Sequence, residues 1–285
     1  MKELIEAAEE SGETISRLTL AQTAVDLGLP EDVVIAKMRQ AYAVMKEAAQ
    51  SGTREIKSMS GLTGGNGKLL KEHTDQGNFS GDFVGGLLYN AVAIAEVNSS
   101  MGKIVAAPTA GSCGVLPSCM ITMQKSRDIP EEGMILALFN ASAVGLVIAN
   151  RASISGAEGG CQAECGTAAA MAASAMTEIM GGAPSQCGDA VGHVLKSVMG
   201  LICDPVAGLV EEPCIVRNAV SAAIATACAE LALAGVQTII PVDEVIDAMG
   251  TVGRQMHPSL RETAEGGIAS SPTAKAIAAR LLKLA

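Results

Sequence analysis

Only five aromatic side chains, Tyr42, Phe79, Phe83, Tyr89 and Phe139, are spread through 285 residues, and there is no Trp. Ala fills 47 positions and Gly 31, so more than a quarter of the chain carries almost no side chain. A core of this kind cannot rest on large aromatic anchors and must be built from close backbone approach and many small contacts. Ala is the strongest helix former, while the β-branched and aromatic residues that favour strands are thinly used. The composition therefore argues against a β sandwich or barrel and for packed helices.

Apolar periodicity and punctuation predict helices over 15–27, 31–50, 84–100, 116–124, 131–150, 163–180, 185–199, 215–234, 242–256 and 272–284. The stop at Gly28 and Pro30 and the restart on Glu31 and Asp32 show the pattern, with acidic residues set at a positive helix N-terminus. The segment 51–86 holds eight glycines between 61 and 86 and reads as a long structured loop. Further special loops are read at 107–117 (APTAGSCGVLP) and 200–213 (GLICDPVAGLVEEP). The expected fold is all-α, a single multi-helix domain over 1–285 with Gly-rich active-site loops.

The charge narrows the function classes. Net charge is −10, and the 20 basic residues are scattered, which predicts no nucleic-acid partner. The run 133–150 is uncharged over 18 residues, at the lower limit of a membrane span, but contains Asn140, Ser142 and Asn150. It is read as a buried core helix, without membrane association. The polar, acid-rich start MKELIEAAEESGE lacks the apolar core of a secretory signal, so the expected location is cytoplasmic.

Eight cysteines, at 113, 119, 161, 165, 187, 203, 214 and 228, exceed what such a compartment would use for disulfides. Cys119, Cys187 and Cys228 fall in predicted helices and are read as small packed hydrophobes, as is Cys165. Cys161 (GGCQAECG), Cys203 (LICDPVAG) and Cys214 (VEEPC) sit in loops rich in Gly and Pro. Their separations of 42 and 11 residues match neither paired zinc-ligand motifs nor the close ferredoxin run. Spacing alone leaves open whether they share a metal centre.

Two glycine- and hydroxyl-bearing loops are candidate anion cradles: Ser60, Gly61, Thr63, Gly64 and Gly65 in SGLTGG, and Thr109, Gly111 and Ser112 in PTAGSCG. Cys113 lies in the second and could line the same pocket. Asn98 and Lys103 flank it and are read as structural. Of the histidines, His193 lies on an apolar helical face, His257 precedes a proline as a cap, and His73 alone is a candidate base.

The segments CQAECG, LICDPVAGLVEEPC, SGLTGG and APTAGSCGVLP together resemble the α chain of the iron–sulfur-dependent bacterial L-serine dehydratases (L-serine ammonia-lyases). The resemblance implies a helical catalytic domain with a [4Fe–4S] cluster on Cys161, Cys203 and Cys214. It implies deamination of serine to pyruvate and ammonia, with cluster iron acting as Lewis acid on the hydroxyl and no pyridoxal phosphate. Threonine or cysteine as substrate, or cluster-based sensing without turnover, are the alternatives. The family's second domain carries a Ser-Ser-Ser-His-Thr segment that is missing from this sequence, and single-chain members end in a cysteine where this sequence reads LLKLA. The expected form is accordingly two-chain, a hetero-oligomer with a β subunit that completes the site.

Overall fold

A computed structural model describes residues 1–283. Thirteen α-helices account for most of the chain, and no strand is formed among the described residues beyond one isolated bridge between Cys203 and Arg261. The protein is all-α. Two helices, Glu131–Arg151 and Cys214–Leu233, are long and apolar enough to cross a membrane, with 61% and 50% of their apolar windows buried inside the protein.

The Ala excess has a specific place. Helix α9, Cys161–Ile179, runs through the middle of the molecule, and every residue from Cys161 to Thr177 is buried. It is covered by α6 (Val115–Arg127), α7 (Glu131–Arg151), α10 (Pro184–Val198) and α11 (Cys214–Leu233). A helix enclosed on all sides has no polar face. Ala168, Ala169, Ala170, Ala172, Ala173 and Ala175 let its neighbours approach the backbone. A second such helix, α5 (Gly81–Ser99), packs on α3 (Glu31–Gly52), α4 (Asn66–Asp75), α6 and α11. The few aromatics are placed accordingly: Tyr42 of α3 and Phe139 of α7 are in the core, while Phe79 is fully exposed.

Most expected helices form within a few residues of their sequence bounds; α2 (Ile15–Leu27) begins and ends where expected. The last, α13, spans Pro272–Leu281, and Leu284 of its expected extent lies outside the described residues. The expectation of a loop through 51–86 is corrected. Helix α4 occupies Asn66–Asp75 and α5 starts at Gly81, so irregular chain is confined to about 53–65 and 76–80. The glycines there serve helix contact as well as turns. A Cβ on Gly67 would lie 2.8 Å from Ala93 Cα, and one on Gly86 2.9 Å from Thr122 Cγ2. His73 therefore lies in a helix, not in a loop.

Helix α4 has no side-chain N-cap of its own. Glu96, fully buried on α5, accepts from the Asn66 backbone N–H (3.0 Å), the Asn66 side-chain amide (2.7 Å) and the Gly67 N–H (3.0 Å). Glu96→Ala strands these donors and is expected to cost about 2–4 kcal/mol. Chemical denaturation of the two proteins measures it.

Candidate functional site

The buried helix α9 begins at Cys161, directly after Gly160 at φ 75°. A Cβ on Gly160 would lie 2.8 Å from the Leu201 carbonyl oxygen, so only glycine admits this close crossing. The adjacent Gln162, fully buried, accepts from the Gly200 N–H (2.8 Å) and donates to the Met249 carbonyl (3.1 Å). The first turn of α9 is thereby fixed against the segment that carries Cys203. Cys203 is itself held by its backbone, donating to the Leu260 carbonyl (2.9 Å) and accepting from the Glu262 N–H (2.7 Å). Cys214 opens α11.

Cys161, Cys165 and Cys203 form one buried cluster with Leu201 packed against it. The Cys161 and Cys165 sulfurs and a Glu164 carboxylate oxygen lie within 4.8 Å of one another. Cys214 is 6% exposed and lies within electrostatic reach of Cys161, Cys203 and Cys165. One correction to the sequence reading follows. Cys161 and Cys214 start helices and are not loop residues. Cys165, read as packing, is packed in this buried cluster, one turn above Cys161 on the same helical face.

Burial raises the Cys214 thiol to about 12, helped by charge on Cys161 and Glu164, and raises Cys203 further in the same way. Burial also raises the Glu164 carboxyl, against the hydrogen bond it receives from Thr109. Cys161 moves the other way, drawn down by a hydrogen bond from the Cys165 thiol, against burial and with help from Arg217. Arg217, one turn into α11, pairs with buried Asp204 at 2.8 Å and donates to the Ile202 carbonyl (2.9 Å). Four sulfurs and a carboxylate, with a nearby guanidinium and no imidazole, form a soft donor set. Such a set suits thiolate-bound metal, including iron–sulfur centres.

Both glycine loops dock onto these segments through buried carboxylates. The Ser60 hydroxyl donates to Glu211 Oε1 (2.7 Å) and the Thr63 hydroxyl to Glu211 Oε2 (2.8 Å), which ties SGLTGG to the turn before Cys214. Gly61 and Gly65 adopt left-handed φ, and a Cβ on Gly64 would lie 2.4 Å from the Ile56 carbonyl oxygen. In the other loop Thr109 donates to Glu164 and shares a 3.0 Å hydrogen bond with Ser112. A Cβ on Gly111 would stand 2.5 Å from Glu164 Oε1. Asn218 of α11 donates to the carbonyls of Gly111 (2.8 Å) and Cys214 (2.9 Å) and accepts from Gly114 N–H (2.8 Å). Asn98 donates to the Ala110 carbonyl at 3.1 Å.

Glu211→Ala releases two hydroxyls together. Hydrogen exchange across 60–65 is expected to accelerate by roughly tenfold or more, on the order of one or two lost charge-assisted bonds. Unchanged protection there would contradict the docking role.

None of the remaining candidates belongs to the buried thiol cluster, although Cys113 lies within electrostatic reach of Glu164. Cys113 is fully buried and packs with Ala48, Ala49, Ile94 and Val97, and burial pushes its thiol up to about 12. Cys119, Cys187 and Cys228 are buried in helices. His73 stands exposed in the last turn of α4 and hydrogen-bonds none of the site segments. His193 meets the Val236 carbonyl at 2.8 Å, and His257 caps its own turn at Ser259 N (3.2 Å). Sequence reasoning missed Gln162, Glu164, Asp204, Glu211, Arg217 and Asn218. A usable signal existed for two of them: Glu164 and Arg217 each follow a helix-starting cysteine by three residues, on its own face.

Residues 2–269 match the family model described as serine dehydratase alpha chain. A Bacillus subtilis protein named probable L-serine dehydratase, alpha chain, is 45% identical over 276 residues, covering 96% of this chain and 92% of the relative. The L-serine dehydratase alpha chain of Peptoniphilus asaccharolyticus is 39% identical over 288 residues, covering 99% and 97%. A Streptomyces coelicolor L-serine dehydratase is 35% identical over 275 residues, covering 94% of this chain but only 59% of the longer relative.

Proposed function

The chain belongs to the serine dehydratase α-chain family, and from that footing we propose that it is the cluster-holding α subunit of an L-serine ammonia-lyase. The observation that carries the proposal is the burial of Cys161 and Cys203, from distant segments, in one cluster, with Cys214 at the start of α11 within electrostatic reach of both. Cys161, Cys203 and Cys214 would hold a [4Fe–4S] cluster. When bound, such a cluster supplies Lewis acidity toward the serine hydroxyl at the iron without a cysteine ligand.

The chain's own residues do the rest. Arg217 offsets negative charge on Cys161 and Cys214 in a setting where burial disfavours thiolates. Asn218 fixes the PTAGSCG loop against Cys214, and Glu211 fixes SGLTGG against the same segment. The hydroxyl protons of Ser60 and Thr63 are taken up by Glu211, and that of Thr109 by Glu164. The Gly61 N–H is held by the Ser58 carbonyl and the Ser112 N–H by the Thr109 hydroxyl, so these loops would address a serine carboxylate through the backbone N–H groups of Gly64, Gly65 and Gly111 rather than through hydroxyl donation. The buried surroundings exclude water from the hydroxyl that leaves. A β subunit, in a cytoplasmic hetero-oligomer, would supply the base that removes the Cα proton.

Reconstitution of the anaerobic chain with iron and sulfide tests the reading. Visible absorption of an iron–sulfur chromophore is expected, together with pyruvate from L-serine once a β chain is present. A colourless protein would contradict the cluster, and a coloured one without pyruvate would favour sensing. Threonine and cysteine, assayed beside serine, decide the substrate.

A further inference from the structure

A cavity of about 450 Å³ lies behind the cysteine segments, between the short helix α8 (Gly156–Gly159), α12 (Val242–Gln255) and the segment 258–263. Ala163 lines it. That residue is two positions from both Cys161 and Cys165, so it faces away from them across the first turn of α9. The cavity is thus separate from the thiol site and shares a wall with it.

Two arginines line this cavity, Arg254 and Arg261. Arg17, Arg39, Arg151 and Arg217 pair with carboxylates in this acidic chain, while Arg54, Arg127 and Arg280, away from the cavity, have no ion pair among the described residues. Neither Arg254 nor Arg261 has such a partner within 4.0 Å among the described residues. Arg254 donates only to the Thr251 hydroxyl (3.0 Å), and Arg261 only to the Glu158 carbonyl (3.4 Å). The Arg261 Nε is buried with no acceptor. Arg261 is half-buried, so without a planar anion its guanidinium keeps donors unmatched where water is restricted, while Arg254 stands exposed at the mouth of the cavity. Opposite charge is also present: Glu158 lines the cavity, its carboxylate fixed by the Ser153 hydroxyl at 2.6 Å.

We propose that this cavity binds a free α-amino acid, its carboxylate on Arg254 and Arg261 and its ammonium toward Glu158. The volume exceeds what a small amino acid needs, and the pairing of two cations with one anion matches a zwitterion better than a simple carboxylate. Occupancy would reach the thiol site through the chain itself. Arg261 lies between Leu260 and Glu262, the two residues that hydrogen-bond the Cys203 backbone.

L-Alanine is the probe, because it carries both charged groups but no hydroxyl to lose. Calorimetric titration of the full chain should show saturable binding that weakens at least about tenfold in Arg254→Met and in Arg261→Met. Acetate should bind at least about tenfold more weakly than alanine, and Glu158→Gln should remove most of that difference. Hydrogen exchange should slow at 153–163 and at Glu262 when alanine is added. The titration does not depend on turnover, and binding should persist in Cys214→Ser, which the lyase reading leaves without a cluster. Absence of saturable alanine binding would overturn the proposal, as would affinity unchanged in both arginine variants. Acetate as tight as alanine, or loss of binding in Cys214→Ser with the fold intact, would overturn it too.

Discussion

Single replacement of Cys161, Cys203 or Cys214 by serine is expected to abolish both the visible chromophore and pyruvate formation. Each cysteine comes from a different segment: the start of α9, the strap held by Leu260 and Glu262, and the start of α11. None can move to cover for another without breaking backbone contacts. A serine oxygen is a hard ligand of high pKa and does not replace a thiolate in a soft set. Loss of even an outer partner of a metal site costs about 10–100-fold, so loss of a ligand should exceed about 100-fold in activity. Cys119→Ser is the control. Its sulfur faces the Ala222 carbonyl at 3.8 Å within the helix core, far from this chemistry in role, and it should change stability but keep the cluster. A full cluster in any of the first three variants would refute the ligand assignment.

The second large effect concerns the partner. Reconstituted chain alone is expected to produce at most trace pyruvate, and a β chain should raise the rate by about 10²–10⁴, the range a positioned general base contributes. The geometry motivates this. His193 is bonded to the Val236 carbonyl, His257 caps its own turn, and His73 is exposed in the last turn of α4 with no hydrogen bond to the site. Cys113, read as a possible pocket-lining residue, packs in an apolar cluster with its thiol pushed up to about 12 by burial. The alpha-chain names of the Bacillus subtilis and Peptoniphilus asaccharolyticus relatives imply a two-chain enzyme. Full turnover by the purified single chain would contradict the requirement, and His73→Ala would then decide whether that residue is the base.

The helical class was legible because Ala and apolar periodicity act locally, and the signals that start and stop α2 and start α7 lie in the adjacent sequence. Helix α4 was not legible. Gly67 in its first turn lowers helix propensity, and the compensation is tertiary: contact with Ala93 and the capping carboxylate of Glu96 from α5. The same limit applies to the site. The cysteines stood out by type and by glycine context, whereas Glu211 and Asn218 act on groups roughly 100 or more residues away, visible only once the chain is folded. Cys165 was read as packing, and it is buried in a packed cluster that also holds Cys161 and Cys203. Its helix is buried from Cys161 to Thr177, and the cysteine stands one turn above Cys161.

The most direct test of the central claim is Mössbauer spectroscopy of the anaerobically reconstituted α–β enzyme, recorded without and with L-serine. A [4Fe–4S] signature in which serine shifts a single iron subsite is the predicted result. A spectrum with all iron sites unchanged by serine, or iron bound without a cluster, would contradict it.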